Sequence, residues 1–244
     1  MGKMARMLAT MVALVWPAVA DAVELRLHTA DFPPFAIADS AERPGIVVEL
    51  GRELARRAGI GFSVSFEPWA RAQAEVRDGH DAAIMPLGRT PEREDRYTWV
   101  TEVLVYGVNF VSADGRRHDL DGARRLGSVR VQDGTSFLED LRAKGFANLK
   151  TATDTADNAR ILAAGRADAW YVPEIEARWL WHRHGLAGTP TIGPRIGVER
   201  AWLALSPGAA PDLVAALRRH FQTMVDDGTR DRVVASYSPP PLFK

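Results

Sequence analysis

The stretch EPWARAQAEVRDGHDAAIMPLGRTPEREDR, residues 67–96, does most to decide the fold of this 244-residue chain. Trp69–Asp78 is predicted to be a helix that ends at Gly79, and Asp81–Leu87 is a mostly apolar run of the kind that forms a buried parallel strand. A polar turn follows that strand. Because open α/β sheets bind small ligands beyond the carboxyl ends of their strands, this turn is predicted to face a ligand.

The same alternation of strand, helix and glycine continues on both sides of this stretch. It predicts further strands at Glu24–Thr29, Phe62–Phe66, Ser128–Gln132, Asn148–Thr153 and Ala167–Val172. It predicts further helices at Ile46–Ala58, Ser136–Lys144, Thr155–Ala164, Pro173–His184, Pro211–Asp227 and Thr229–Tyr237. Alternation of this kind is typical of an α/β protein with mainly parallel sheets flanked by helices.

Two extended stretches, Val103–Ser112 and Ile196–Leu205, are predicted to connect two α/β lobes. The chain would cross to the second lobe along the first stretch and return along the other. Lobe 1 would then contain residues 23–109 and 197–244, and lobe 2 residues 110–196. Two crossover strands make a hinge, and a hinge between two lobes creates a cleft that can close on a ligand.

The N-terminus has the features of a signal peptide. Lys3 and Arg6 form a short basic region, Met7–Trp16 is apolar, and Ala20-Asp21-Ala22 is a small-residue cleavage site. Residues 1–22 are therefore predicted to direct export and to be removed. A membrane anchor is the alternative, but the apolar run is shorter than a bilayer requires.

Composition excludes several classes of function. The chain has 31 basic and 31 acidic residues and no basic stripe, so nucleic acid is not an expected partner. It has no cysteine, which excludes disulfides, thiolate metal sites and a lipid-modified cysteine at the cleavage site. His182 and His184 lie two apart on a predicted helix and face different sides, so no metal site or cofactor is expected.

Five motifs follow one another in a specific order and spacing: Pro33-Pro34-Phe35, Pro68-Trp69-Ala70-Arg71-Ala72, Gly79–Asp95, Gly134-Thr135-Ser136 and Gly165-Arg166-Ala167-Asp168-Ala169. Together they resemble periplasmic solute-binding proteins of the type II fold, in the polar-amino-acid-binding family (family 3) of ABC transporters. The second motif resembles the PWxRA branch of that family. The resemblance covers Val23–Lys244 and implies a soluble, monomeric periplasmic protein that passes a small-molecule ligand to a membrane permease.

The resemblance also implies which residues contact the ligand. Arg93 would hold a carboxylate, because a planar guanidinium fits a carboxylate with two hydrogen bonds. Thr135 and Ser136, before a helix, would bind an anionic group with hydroxyls and free backbone N–H groups. The remaining expected contacts are the aromatic walls Phe32, Phe35 and Trp69, together with Gly88, Arg71 and Glu174.

Simpler structural roles remain open for these residues. Arg93 could pair with a neighbouring acid, and Arg89 competes with it for the carboxylate. Thr135 could be an ordinary helix N-cap. The aromatic side chains could belong to the core.

Two positions depart from the pattern of amino-acid binders. Pro86 and Gly88 stand where the family usually has hydroxyl residues, and Pro173 stands where an aspartate usually holds the α-ammonium. Glu174 follows Pro173 and could substitute for that aspartate. If it does not, the expected ligand is a carboxylate without an adjacent ammonium, such as a keto acid, an aromatic acid or a small peptide-like compound.

An enzyme is the main alternative. Ile175-Glu176-Ala177-Arg178 resembles the run that carries the catalytic acid of cyclohexadienyl and arogenate dehydratases with this fold. A glutamate in a closed, partly apolar cleft has a raised pKa and can protonate a leaving hydroxyl, which would make Glu176 a general acid. A surface glutamate in the first helical turn is the simpler interpretation. A ligand-sensing partner of a membrane receptor would use the same cleft.

Overall fold

The computed structural model describes residues 23–237, so the expected signal peptide, residues 1–22, lies outside the described part. Its strands are β1 (Glu24–Thr29), β2 (Gly61–Phe66), β3 (Ala82–Gly88), β4 (Thr98–Ser112), β5 (Val129–Gln132), β6 (Leu149–Ala152), β7 (Ala169–Pro173) and β8 (Thr191–Leu205). Its α-helices are α1 (Ile46–Ala58), α2 (Trp69–Asp78), α3 (Leu120–Arg124), α4 (Ser136–Ala143), α5 (Thr155–Ala163), α6 (Glu174–Arg183), α7 (Pro211–Asp226) and α8 (Thr229–Ser236). A 3₁₀ helix, Pro91–Arg96, follows β3.

The strands form one curled sheet in the order β2-β1-β3-β8-β4-β7-β5-β6. In the first lobe, β1 lies between β2 and β3 and is parallel to both, while β8 adds to β3 in the antiparallel direction. In the second lobe, β5 is parallel to β6 and β7, and β4 is antiparallel to β7. Each lobe therefore has a mainly parallel sheet, as the sequence predicts.

Strands β4 and β8 are the two connections between the lobes. They pair antiparallel from Thr98 opposite Leu205 to Ser112 opposite Thr191, so each runs from one lobe into the other. This arrangement is the two-lobed type II fold of periplasmic binding proteins, and the predicted fold class is confirmed. Both strands are continuous through residues 109 and 196, so the exact lobe boundaries placed there stay predictions.

Separate apolar cores stabilise the two lobes. In the first, side chains such as Leu50 of α1, Ile84 of β3 and Phe221 of α7 form one cluster. In the second, neighbouring residues of β4 point to opposite sheet faces: Phe110 joins one cluster and Val111 another. Burial on both faces explains why β3 and β7 are almost wholly apolar in sequence.

The predicted helix ends are close to the observed ones, but the glycines act in two ways. Gly59 ends α1 in the left-handed conformation, with φ 68°. Gly79 ends α2 in an extended conformation, with φ −95° and ψ −172°, and a Cβ there would overlap the Glu75 carbonyl oxygen. Pro173, predicted to open a helix as its first residue, instead ends β7 and precedes α6.

Candidate functional site

A cavity of about 390 Å³ lies between the lobes at the carboxyl end of β3, and we call it the interlobe cavity. This volume counts all the space between the lining atoms, part of it open to solvent. Its lining comes from both lobes and from both crossover strands: Phe32, Phe35, Trp69, Pro86, Gly88, Arg93, Tyr106, Gln132, Thr135, Ser136, Phe137, Glu176 and Glu199. Among the sequence-predicted residues, the lining includes Arg93, the three aromatic residues, Gly88, Thr135 and Ser136.

Arg93 is 5% exposed and reaches across the interlobe cavity from the 3₁₀ helix of the first lobe. Its Nη1 donates to the Gly88 carbonyl at 3.1 Å, and its Nη2 donates to the Gly134 carbonyl at 3.1 Å. The same Nη2 donates to Glu139 Oε1 of α4 at 2.7 Å. The guanidinium therefore already holds a carboxylate that comes from the opposite lobe.

The aromatic residues of the cavity form two pairs on the first-lobe side. The rings of Phe32 and Trp69 meet edge to face, with centroids 5.0 Å apart. Phe35 packs against Tyr106 of β4 at 4.7 Å. These rings also contribute to the first-lobe core, so the core and ligand-wall interpretations of Phe32, Phe35 and Trp69 are compatible.

The turn before α4 brings hydroxyl groups to the second-lobe side. Thr135 is the N-cap of α4 and accepts from the Leu138 N–H, while its own hydroxyl donates to the Gln132 carbonyl. The Ser136 hydroxyl donates to Glu199 Oε1 at 3.0 Å. The Thr135 side chain therefore serves as a helix cap. The Ser136 hydroxyl is hydrogen-bonded to the Glu199 carboxylate of the crossover strand β8.

Glu199 lies on β8 directly opposite Tyr106 of β4, so both side chains point to the same face of the crossover ribbon. Burial raises the pKa of Glu199 to about 7, although the Ser136 hydrogen bond and the positive charge of Arg93 act in the opposite direction. Gly88 lies close by, and a Cβ on it would overlap Glu199 Oε1 and lie 2.5 Å from Ser136 Oγ. Because residue 88 is a glycine, the Glu199 carboxylate has room to lie in the cavity.

Glu176 of α6 is 4% exposed and accepts a hydrogen bond from the Thr155 hydroxyl. Burial raises its pKa to about 8, and the carboxylates of Asp31 and Asp154 act in the same direction. A carboxyl group in this environment is mostly protonated at neutral pH. Glu176 is therefore a buried acid of the cavity and not a helix-surface residue.

Two of the expected ligand contacts lie elsewhere, which corrects the sequence-based assignment. The Arg71 side chain is 69% exposed and pairs with Glu67, which precedes α2, and with Glu75 of α2. Glu174 pairs with Arg178 one turn along α6 and does not line the interlobe cavity. Neither side chain lines the interlobe cavity, and the substitution of Glu174 for an aspartate at position 173 stays a prediction.

Arg89 is also outside the cavity, which removes the competitor of Arg93. Its guanidinium donates to Glu94 and lies 4.7 Å from the centroid of the Trp202 ring and 5.1 Å from that of Trp99. Arg89 therefore stabilises the first-lobe surface through an ion pair and two cation–π contacts.

Sequence reasoning missed several lining residues, above all Tyr106 and Glu199. Both lie within the predicted crossover stretches, which are mostly apolar apart from residues such as Asn109 and Arg200. The glutamate in the middle of the second crossover stretch could have indicated a cavity residue, because a crossover strand passes beside the cleft. Gln132 and Phe137, which lie on either side of the predicted turn at Gly134, also line the cavity, but nothing in their sequence positions predicts it.

Solved structures similar to this chain share its two-lobed architecture. They include a histidine kinase sensor domain with similarity to periplasmic binding proteins (18% identity, TM-score 0.80, 89% of this chain and 96% of that one). A mutant arginine-binding protein from T. maritima matches at 20% identity and TM-score 0.75, over 88% of this chain and 95% of that one. An ancestral amino-acid-binding protein, a precursor of cyclohexadienyl dehydratase, matches at 21% identity and TM-score 0.72, over 88% of this chain and 95% of that one. Identities this low establish the fold alone.

Family membership follows from a match over almost the whole described chain. No curated protein matches the sequence. No helix among residues 23–237 is long and apolar enough to cross a membrane. The family of bacterial extracellular solute-binding proteins, family 3, matches residues 25–240, and this chain belongs to that family.

Proposed function

We propose that this chain captures a small polar solute bearing a carboxylate in the interlobe cavity and presents it to the membrane permease of an ABC transporter. Family membership supports solute binding, and the fold shared with an arginine-binding protein is consistent with a small polar ligand. Residues 1–22 would direct export to the periplasm, where the mature protein would act as a monomer without a lipid attachment.

The contact between Arg93 and Glu139 is the observation that carries the proposal. Arg93 is buried at the cavity wall, and its guanidinium binds a carboxylate at 2.7 Å. The Glu139 side chain is 36% exposed, so it can leave for water at modest cost when a ligand carboxylate arrives. The position thus has the charge, geometry and exchangeable partner that a carboxylate-binding site needs.

Closure of the two lobes would link ligand binding to recognition of the protein by the permease. Hydrogen bonds already bridge the cleft. Gln73 and Arg93 of the first lobe donate to the Gly134 carbonyl of the second lobe. Ser136 of the second lobe donates to Glu199 of the crossover strand β8. A ligand that touches groups on both sides has its full set of contacts only in the closed state. Its binding would therefore shift the population toward that state, which a permease can recognise.

A thermal-shift screen tests the proposal. The mature protein, refolded to remove carried-over ligand, is screened against amino acids, keto acids, aromatic acids, polyamines, prephenate and arogenate. A ligand at 100 times its Kd adds about 2.7 kcal/mol of stability, which corresponds to a rise of roughly 5–10 °C for a chain of this size. We expect a shift with a carboxylate compound that is recovered unchanged.

Arg93→Ala, with Arg71→Ala as its matched control, tests the site itself. We expect Arg93→Ala to lose binding and Arg71→Ala to retain it, because only Arg93 reaches the cavity. Circular dichroism checks that both variants fold, since Arg93→Ala also removes a donor from the Gly134 carbonyl. Wild-type affinity in a folded Arg93→Ala variant would overturn the assignment.

A second candidate function, a dehydratase acting on prephenate or arogenate, is favoured by one observation. Glu176 is buried in the cavity wall with a pKa raised by burial to about 8, so it holds a proton that a general acid needs at neutral pH. Turnover of either compound by the wild type, lost in Glu176→Gln, would establish the enzyme. Absence of turnover by a protein that binds another ligand would reject it.

A further inference from the structure

We propose that helix α6 carries a latch that joins the two lobes without any ligand and sets how much of the ligand-free protein is closed. The latch consists of Ile175, Trp179 and Arg183 on α6 and of Asp39, Arg43 and Tyr237 in the first lobe. None of these six is among the described residues that line the interlobe cavity, so the latch is separate from the contacts at Arg93.

Helix α6 is apolar on two faces, as is typical of a helix that lies between two cores. Ala177, Leu180 and Trp181 are buried in an apolar cluster of the second lobe. Ile175 and Trp179 lie four residues apart, so they share one face of the helix, and both pack against the first-lobe core instead. Since α6 follows β7 of the second lobe, this other apolar face makes a contact between the lobes.

Trp179 meets an arginine and a tyrosine of the first lobe. The Arg43 guanidinium lies 5.8 Å from the centroid of the Trp179 ring and 4.7 Å from that of the Tyr237 ring. The centroids of the two rings are 6.2 Å apart. Arg43 therefore makes cation–π contacts with two rings that different lobes supply, and opening the lobes would remove one of them.

The first-lobe half of the latch is held in place by its own lobe. The Tyr237 side chain is fully buried, and its hydroxyl donates to Glu49 Oε1 and accepts from the Gly45 N–H at 3.0 Å. Arg43 donates to the Ser236 carbonyl beside it. Because these bonds lie within the first lobe, the surface that receives α6 can stay ordered when the lobes part.

An ion pair makes a second contact one turn further along α6. Arg183 donates to the Asp39 carboxylate, which belongs to the loop before α1 in the first lobe. The Asp39 side chain is 71% exposed, so this pair should contribute less than the packing of Trp179. Together the two contacts fix both the distance and the orientation of α6 relative to the first lobe.

Contacts of two kinds therefore bridge the cleft. Those of Arg93 and Ser136 involve groups that line the cavity, and a ligand would change them. Those of the latch lie outside the cavity, so the closed form makes them whether or not a ligand is bound. A closed-state contact of this kind raises the closed fraction of the ligand-free protein, and the apparent affinity for a ligand rises with that fraction.

Distance measurements on the ligand-free protein test the latch. The chain has no cysteine, so Arg52→Cys on α1 and Arg166→Cys before β7 provide one exposed spin-label site in each lobe. The mature protein is refolded to remove any carried-over ligand. Pulsed electron paramagnetic resonance gives the distribution of label distances, and small-angle scattering of the unlabelled protein gives its radius of gyration.

We expect the labelled parent to be mainly closed and Trp179→Ala to open it. The ratio of closed to open molecules should fall at least about tenfold, because a large aromatic contact between the lobes is lost. A second label distance and a larger radius of gyration would report that change. Arg43→Gln should act in the same direction but less strongly, since Trp179 keeps its apolar packing. The double variant should resemble Trp179→Ala alone, because both changes remove one shared contact.

Trp202→Ala is the matched control. Its ring is also half-buried, packs against the first-lobe core and lies 4.7 Å from a guanidinium, that of Arg89. Both residues of this pair belong to the first lobe, so their separation does not require opening. The Trp202→Ala protein should therefore keep the label distances of the parent.

Opening in Trp179→Ala but not in Trp202→Ala would support the latch. An open ligand-free parent, or parental distances in Trp179→Ala, would overturn it, as would equal opening in Trp202→Ala or additive opening in the double variant. Circular dichroism checks folding, and Arg43→Gln, at an exposed position, decides the question if Trp179→Ala does not fold. Because no ligand is used, failure of the latch would leave the proposed function intact.

Discussion

The Arg93 guanidinium donates to the Glu139 carboxylate at 2.7 Å, and this contact joins the two lobes across the interlobe cavity. The chain thus supplies from its own second lobe the kind of group that we propose the ligand supplies. Glu139 Oε2 is buried and has no hydrogen-bond partner in the described structure, so the carboxylate is held by one oxygen only. A ligand carboxylate with two bonds would compete effectively for the same guanidinium.

Glu139→Gln should strengthen the binding of a carboxylate ligand. Loss of the charge removes the internal competitor for Arg93, and a gain of about fivefold in affinity is expected from a contact worth about 1 kcal/mol. Isothermal titration gives the Kd of both proteins. Asp157→Asn, which alters a surface pair with Arg160 in the same lobe, is the control and should not change the Kd. A weaker Kd in Glu139→Gln would show that Glu139 supports binding.

Gly88→Ala should hold the lobes apart. The added methyl group would collide with Glu199, which β8 holds beside β3, and with Ser136, which comes from the second lobe. We expect affinity to fall at least about tenfold, since the ligand must then also offset the cost of that collision, and small-angle scattering should show a larger radius of gyration. Gly61→Ala, where the new methyl group meets the side chain of the exposed Glu24, is the control. An unchanged Kd would mean that closure does not bring Ser136 to Gly88.

The stability of the unliganded protein should fall as pH rises from about 5 to 8. Burial raises the folded-state pKa of Glu176 to about 8 from an ordinary value of 4.5, so in this window the folded state keeps a proton that the unfolded state has lost. The slope for one such group is at most about 1.4 kcal/mol per pH unit. The carboxylates of Asp31 and Asp154 face Glu176 and favour its protonated form.

Glu176→Gln isolates this effect. Glutamine cannot ionise, so the variant should lose less stability than the wild type between pH 5 and 8. Urea denaturation at several pH values gives the free energy of unfolding of each protein. Glu199, whose pKa burial raises to about 7, contributes with the same sign below about pH 7 and faces Arg93, Glu139 and Asp140, so a smaller slope should persist in the variant. Identical slopes in both proteins would show that Glu176 does not titrate in this window.

The fold was predictable because its signals are local. The bounds of α1 and α2 follow from apolar periodicity and a terminal glycine, and the crossover strands follow from long apolar runs. The short helix α3 and the 3₁₀ helix at Pro91–Arg96 were missed, since five or six residues give too little periodicity to detect.

The site was predictable only in part, because it depends on the phase of helices and the register of strands. Successive helical residues are about 100° apart. Arg71 therefore points away from the cavity although Trp69, two residues earlier, lines it, and Glu174 and Glu176 differ in the same way. Tyr106 and Glu199 meet through the register of β4 with β8, which no local pattern encodes.

The position of Glu199 on a crossover strand has a consequence for the order of events during capture. A residue at the pivot would move little relative to the first lobe when the angle between the lobes changes, so its carboxylate would stay within reach of incoming solutes in an open form. A solute would then meet Glu199 first, while Ser136 and Glu176 arrive later with the second lobe. The charge of Glu199 at the pivot would then set the association rate of the solute and the dependence of that rate on salt. Contacts from the closing second lobe would set how long the solute stays bound.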